Sequence, residues 1–152
     1  MKAEVKAIFP GSFDPFSVGH FDIAQRALKL FDKLTIAIGV NQDKKSMSTP
    51  NERKANIEKL FAKEPRVSVE IYEGLTVDFC RRVGATHIVR GVRNAADFEL
   101  ELAVAQANKA MLPEVDTVLL LASPELAFVS STIIRDVLRN GGSAAEFLPK
   151  KS

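Results

Sequence analysis

The sequence predicts an α/β protein built on a five-stranded parallel sheet covered by helices. Three observations carry this expectation. Five apolar, β-rich runs recur along the chain, helical patterns fill the gaps between them, and several runs are nearly continuous in apolar residues, as strands buried on both faces are. The runs are VKAIF (5–9), LTIAIGV (34–40), VSVEIY (67–72), HIVRGV (87–92) and TVLLLA (117–122). Strand–helix alternation of this kind joins parallel strands by right-handed crossovers.

The helices follow in order. The first pattern covers 19–31, with Ile23, Ala27, Leu30 and Phe31 in step. TPNE opens the second: Thr49 caps, Pro50 suits the first helical position and Glu52 completes a capping box. Its expected apolar face is Ala55, Ile57, Leu60 and Phe61. A third runs from Thr76 to Val83 and stops at Gly84. The long fourth covers Ala95 to Met111, with Phe98, Leu102, Ala105 and Leu112 in step, and ends before Pro113. A fifth starts near Ser130 and ends at NGG (140–142), and the tail has room for one more turn.

Composition narrows the class. At 152 residues, with 46% hydrophobic and 26% charged residues, the chain reads as one soluble globular domain over 1–152. No internal repeat or linker interrupts it. The single cysteine, Cys80, excludes a disulfide framework and a cysteine-rich zinc site, and fits a reducing cytoplasm. The start has no signal-like apolar stretch, and TVLLLA is too short to span a bilayer. A net charge of +2 indicates no broad attraction to nucleic acid. Anions must therefore be bound by locally placed residues.

Ligands of open parallel sheets sit beyond the carboxyl ends of the strands, at a switch in strand order. The loops expected there are PGSFDPFSVGH, NQDKKS, EGLTVDF, RGVRNAADFE and SPELAFVSSTIIR. They bring together Ser12, His20, Lys44, Lys45, Arg90, Arg93, Ser130, Ser131 and Thr132. A cluster of cations and hydroxyls on a nearly neutral protein points to a phosphate-rich ligand. In the first loop, Pro10 and Gly11 are expected to break the strand, Asp14-Pro15 to turn the chain, and Gly19-His20 to open a helix whose amino end attracts phosphate. His20 then aims a donor at the same place.

Each of these residues also has an ordinary structural reading. Gly and Pro occur in most strand-to-helix loops, and Lys44, Lys45 and Arg90 belong to residue types that are mostly solvated. Arg93 has a second reading as an ion-pair partner of Asp97 or Glu101. Ser130, Ser131 and Thr132 read equally as helix caps, a role compatible with phosphate binding. Cys80 and His87 read as structural. The chain lacks both G-x-G-x-x-G and G-x-x-x-x-G-K-(S/T), which argues against a dehydrogenase or a P-loop kinase. Two histidines and no serine elbow argue against a hydrolase triad.

At these residues the chain resembles the nucleotidyltransferase superfamily with the (H/T)-x-G-H signature, and within it the bacterial phosphopantetheine adenylyltransferase family. PGSFDPFSVGH resembles the family's opening motif, RGVRNAADFELE its arginine motif and FVSSTIIR its late I-S-S-T motif. The resemblance implies a Rossmann-like, doubly wound sheet with helices on both faces. It also implies transfer of the adenylyl group of ATP to 4'-phosphopantetheine, with magnesium, in the penultimate step of coenzyme A synthesis. A homohexamer and feedback inhibition by coenzyme A are further implications.

Residue by residue, the resemblance places Ser12 against both substrates and Phe13 against the nucleotide. It makes His20 the stabiliser of the transition state and Lys44 the residue that orients the pantetheine phosphate. It puts Arg90, Thr76 and Asn108 on the pantetheine side. Gly91, Val92, Arg93 and Glu101 fall on the nucleotide side, as do Leu126, Ala127, Phe128, Val129, Ser130, Ser131 and Thr132. Three positions depart from the family pattern: Ser17 where Thr or His is usual, Thr76 where Leu or Met is usual, and Leu126 where an aromatic is frequent.

The implied chemistry suits these residue types. The acceptor phosphate is already an anion, so no strong base is needed. The obstacle is repulsion between two polyanions and charge growth at the α-phosphoryl oxygens and the leaving pyrophosphate. Positioning and electrostatic stabilisation meet it. The competing expectations are glycerol-3-phosphate cytidylyltransferase, nicotinamide mononucleotide adenylyltransferase, and a nucleotide-binding module without turnover.

Overall fold

The computed structural model describes residues 2–41 and 45–150. Five strands alternate with the helices: β1 (Lys6–Gly11), α1 (Val18–Ala27), β2 (Lys33–Gly39), α2 (Pro50–Leu60), β3 (Val67–Tyr72), α3 (Thr76–Val83), β4 (His87–Val92), α4 (Ala95–Met111), β5 (Asp116–Leu121) and α5 (Ser131–Arg139). Short 3-10 turns at Pro124–Leu126 and Ala145–Phe147 flank α5. The sheet is wholly parallel, in the order β3-β2-β1-β4-β5. The chain therefore winds outward from β1 to β3, crosses back, and winds outward again through β4 and β5.

Alternation along the strands gives the sheet two buried faces. Ala7, Phe9, Leu34, Ile36, Ile38 and Val89 pack with Ile23, Ala27, Ile57 and Phe61 from α1 and α2 and the residue after α2. Ile8, Ala37 and Ile88 point the other way and meet Val77, Phe79 and Cys80 of α3 and Leu112 at the end of α4. Ile134 of α5 docks separately with Val129 and Ala144. Burial pushes the Cys80 thiol up to about 11, in keeping with an inert core residue.

Four expectations are corrected. Pro10 and Gly11 do not end the first strand, which continues through both and pairs with β2 at Ala37 and Ile38. What Pro10 interrupts is the other side. β1 pairs with β4 only at Ala7 and Ile8, because a proline has no N–H to donate to the next ladder position. The first helix begins at Val18 and closes at Ala27, where tight turns from Lys29 to Arg26 and Leu30 to Ala27 replace its last predicted turn.

Ile57 and Leu60 of α2 and Phe61 just after it face the core as expected, but Ala55 is exposed and Arg53, one turn before Ile57, is buried in its stead. In α4 the expected face holds at Ala105 and Leu112 but not at Phe98 and Leu102. Glu101 and Asn108 are buried, while Phe98 is 46% and Leu102 42% exposed. The helix turns polar groups toward the strand ends, and its inward stripe is Glu101, Ala105, Asn108 and Leu112. β5 is an edge strand, only partly covered, and Leu121 is 72% exposed.

Gly84 ends α3 with φ 74°, and a Cβ built there would meet nothing within 4 Å. The cost of a side chain is then purely that of the left-handed backbone. Gly84→Ala should lower the unfolding free energy by about 1 kcal/mol without altering activity, as read from urea denaturation and initial rates.

Candidate active site

Three adjoining hollows open at the carboxyl ends of the strands, of about 520, 250 and 430 Å³. The largest runs from Gly11 and Ser12 past His20 to Arg90, Arg93 and the start of α5. The 430 Å³ hollow continues from Ser12 and Arg90 toward Tyr72, Thr76 and Asn108. Ser12, Arg90 and Glu101 line both, so the two clefts meet at these residues.

The first loop is built as a strained turn. Phe13 has φ 50°, a left-handed conformation that costs a residue with a Cβ about 1–2 kcal/mol. Its ring is buried against Phe9, Phe16 and His20, with ring centroids 5.1, 5.2 and 5.0 Å away. Gly11 permits this, since a Cβ there would lie 2.8 Å from the Phe13 ring. The loop's carbonyls are tied from outside. Arg53 Nη1 donates to Ser12 O at 2.5 Å, Arg135 Nη1 to Asp14 O at 2.7 Å and Ser131 Oγ to Pro15 O at 2.8 Å. The buried Asp14 carboxylate accepts from Met47 N at 2.7 Å and Ser48 N at 3.0 Å, joining this loop to the one that carries Lys45.

Ser17 caps α1, and His20 is the third helical residue. The Ser17 side chain accepts from His20 N at 3.2 Å, and the Ser17 backbone N–H donates to His20 Nδ1 at 3.0 Å. A backbone N–H only donates, so Nδ1 is the acceptor and the ring proton sits on Nε2. Burial, then the charges of Arg90 and Arg93, lower the His20 pKa to about 4. At neutral pH His20 is a neutral imidazole offering one donor. Ser17 does through its hydroxyl and backbone what the capping position requires.

Arg90 fills the gap that opens between β1 and β4. Its Nη1 donates to the carbonyl of Pro10, and its Nε donates to Glu101 Oε2 at 2.5 Å. Arg93 is held in a two-pronged pair with Asp97, at 2.9 and 3.2 Å, and keeps the Asp97 carboxyl below its ordinary range. The partner of Glu101 is therefore Arg90, and that of Arg93 is Asp97. Ser130 caps α5 by accepting from Ile133 N at 3.1 Å, and Thr132 Oγ1 accepts from Arg135 Nη2 at 3.3 Å.

Most of the residues singled out from sequence thus converge. Ser12, Phe13, His20, Arg90, Gly91, Arg93, Glu101, Leu126, Val129, Ser130, Ser131 and Thr132 line the large cleft, and Thr76 and Asn108 line the 430 Å³ one. Val92 is buried and is not in the lining, as alternation from Gly91 requires. Ala127 and Phe128 do not line it either, and Phe128 stacks edge-on against Phe147. Lys44 lies outside the described residues, whereas Lys45 lines the 250 Å³ hollow with Arg53 and Arg135. Asp14, Arg53 and Arg135 were not singled out from sequence, although Asp14 and Arg135 lie within quoted motifs. Asp14 looked like part of a turn, and a buried arginine on a helix leaves no trace in composition.

A parallel sheet whose strand ends gather a helix-capping histidine, two pinned arginines and a helix amino end is suited to a phosphate-rich ligand. The cytidylyltransferase-like family model matches residues 8–137. The chain is 51% identical over 145 residues to the phosphopantetheine adenylyltransferase of Flavobacterium psychrophilum, with 95% of each chain covered. It is 52% identical over 144 residues to that of Flavobacterium johnsoniae, covering 95% and 94%, and 46% identical over 145 residues to that of Phocaeicola vulgatus, covering 95% of each. The chain belongs to the phosphopantetheine adenylyltransferase family. In fold it is similar to a bifunctional NMN adenylyltransferase/ADP ribose pyrophosphatase from Francisella tularensis, with TM-score 0.75 and 18% identity. That likeness covers 99% of this chain and 46% of the other.

The neutral histidine has a measurable signature. The unfolded chain takes up a proton near pH 6.5 and the folded one near pH 4, so between these values the unfolded state binds more protons. Stability should be full above pH 6.5 and fall on acidification toward pH 4, with His20 contributing a slope of about 1.4 kcal/mol per pH unit. Two-dimensional NMR of the imidazole should show the Nε2–H tautomer at pH 7, and His20→Asn should remove the slope. An imidazolium at pH 6 would contradict the site as described.

Proposed function

We propose that this chain transfers the adenylyl group of ATP to 4'-phosphopantetheine, giving dephospho-coenzyme A and pyrophosphate. The observation that carries the reading is the meeting of two clefts at Ser12 and Arg90, one lined by His20, Arg93 and the α5 amino end, the other by Thr76 and Asn108. The family's curated members support the same reaction.

The nucleotide occupies the larger cleft and the pantetheine arm the other. An oxygen of the acceptor phosphate forms a bond to the α-phosphorus as the bond from that phosphorus to the β-bridging oxygen breaks, and pyrophosphate leaves. Arg90, with Lys44 and Lys45, holds the attacking phosphate. His20 Nε2–H donates to an α-phosphoryl oxygen, and Arg93 and the α5 amino end receive the β- and γ-phosphates. As a neutral donor, His20 keeps its proton throughout.

Magnesium accompanies ATP. Among the described residues no group of His, Cys, Asp or Glu side chains is arranged to hold an ion, and Asp97 and Glu101 are each paired with an arginine. These residues suit an ion carried on the triphosphate, where it offsets phosphate charge. The exposed apolar side chains of α4 and the edge of β5 support self-association, and a homohexamer is the assembly proposed. Coenzyme A, sharing the pantetheine arm, fits as a competing inhibitor in the second cleft. No helix is long and apolar enough to cross a membrane among the described residues, and a cytoplasmic enzyme is the reading consistent with this and with one buried thiol.

The test is pyrophosphate release with ATP, magnesium and 4'-phosphopantetheine, run beside CTP with glycerol 3-phosphate and ATP with nicotinamide mononucleotide. Release is expected with the pantetheine pair alone, and His20→Ala should lower turnover by about 10²–10³-fold. Release with another pair would overturn the substrate assignment. Turnover of His20→Ala within tenfold of the wild type would remove the role given to His20.

A further inference from the structure

We propose that Arg53 is a positioning residue for the transfer: from α2 it turns the Ser12–Phe13 peptide so that the Phe13 N–H faces the phosphates. The proposal rests on the adenylyl-transfer reading above. Arg53 is 6% exposed, yet among the described residues no carboxylate pairs with it, and its Nε has no hydrogen-bond partner. Burying a guanidinium is unfavourable unless it is paired, and an aliphatic side chain one turn from Ile57 would fill this face at lower cost. Packing therefore does not explain an arginine here.

Its side-chain hydrogen bond does. Nη1 donates to Ser12 O at 2.5 Å. A trans peptide is planar, with its N–H opposite its C=O, so fixing the Ser12 oxygen toward Arg53 points the Phe13 N–H away from Arg53. Ser12 lines both the 250 Å³ hollow and the large cleft, and Arg53 lines only the first. The N–H is thus directed to the cleft side. Phe13 needs such a restraint, because its φ of 50° is a conformation that an unrestrained phenylalanine seldom adopts. A carbonyl released from Arg53 is free to swing toward the cleft and present an oxygen to phosphate instead of a donor.

The experiment compares wild type, Arg53→Lys and Arg53→Gln, each checked for folding by circular dichroism and thermal melting. Turnover is read by pyrophosphate release and loop mobility by hydrogen exchange of segment 11–16. Folded Arg53→Gln is expected to lose about 10–100-fold in kcat while the KM for ATP moves less than about threefold, since the misplaced group acts mainly on the transition state. Segment 11–16 should exchange faster while the core strands stay protected, and Arg53→Lys should recover part of both. Turnover of Arg53→Gln within threefold of wild type overturns the proposal, as does unchanged exchange of the segment. If neither variant folds, Arg53 serves stability alone and the proposal is likewise overturned. A wild type that exchanges slowly but turns over no substrate would instead remove the adenylyl-transfer reading and leave the loop restraint standing.

Discussion

β1 and β4 pair at two positions and then separate, and the guanidinium of Arg90 occupies the opening. The separation has a chemical cause, because Pro10 has no N–H for the ladder while its carbonyl remains as an acceptor. Arg90 takes that carbonyl with one nitrogen and Glu101 with another, so a single side chain closes the sheet and joins β1, β4 and α4. The break in pairing makes the room in which the two clefts meet. Removing the arginine would leave an orphaned carbonyl and a buried carboxylate, two costs that hold the residue in place before any ligand arrives.

The second dependence is on charge. The site gathers cations on a chain of net charge +2, so the positive charge is local to the strand ends. Its arginines are held in fixed geometry by carboxylates and carbonyls, so little reorganisation accompanies ligand binding. The same cations, with burial, keep His20 neutral. A neutral imidazole whose Nδ1 is occupied by the Ser17 N–H presents only Nε2–H, a donor of fixed direction. The capping box that starts α1 therefore also sets the tautomer of the histidine.

Much of this was legible in the sequence. Strand and helix boundaries followed from apolar runs, from Thr49-Pro50 and from Gly84, all of which are local signals. His20, Arg93 and the Ser130–Thr132 stretch were found because they follow strands, where a parallel sheet collects its ligands, and Arg90 because it interrupts an apolar strand. What escaped depends on which way a side chain faces. α4 turns Glu101 and Asn108 inward beside Ala105 and Leu112 and leaves Phe98 and Leu102 outward, a choice that periodicity cannot reveal, since both stripes recur at helical spacing. Arg53 and Arg135 act on loop carbonyls 41 and 121 residues away in sequence; Arg53 lies in no motif, and Arg135 closes FVSSTIIR without a signal that it reaches the first loop. The Pro10-Gly11 pair was read as a strand end because a proline breaks a ladder, but here it breaks the ladder on one side only.

The central claim is that adenylyl transfer is direct, in line and supported by fixed charges, with no group of the protein attacking phosphorus. The stereochemistry at the transferred phosphorus tests it most directly. Reaction of 4'-phosphopantetheine with one diastereomer of ATP carrying sulfur on the α-phosphorus, followed by assignment of the product's configuration by phosphorus NMR, reports the number of displacements. A single in-line attack between the two clefts predicts inversion. Retention would require two displacements through an adenylylated side chain and would contradict the account.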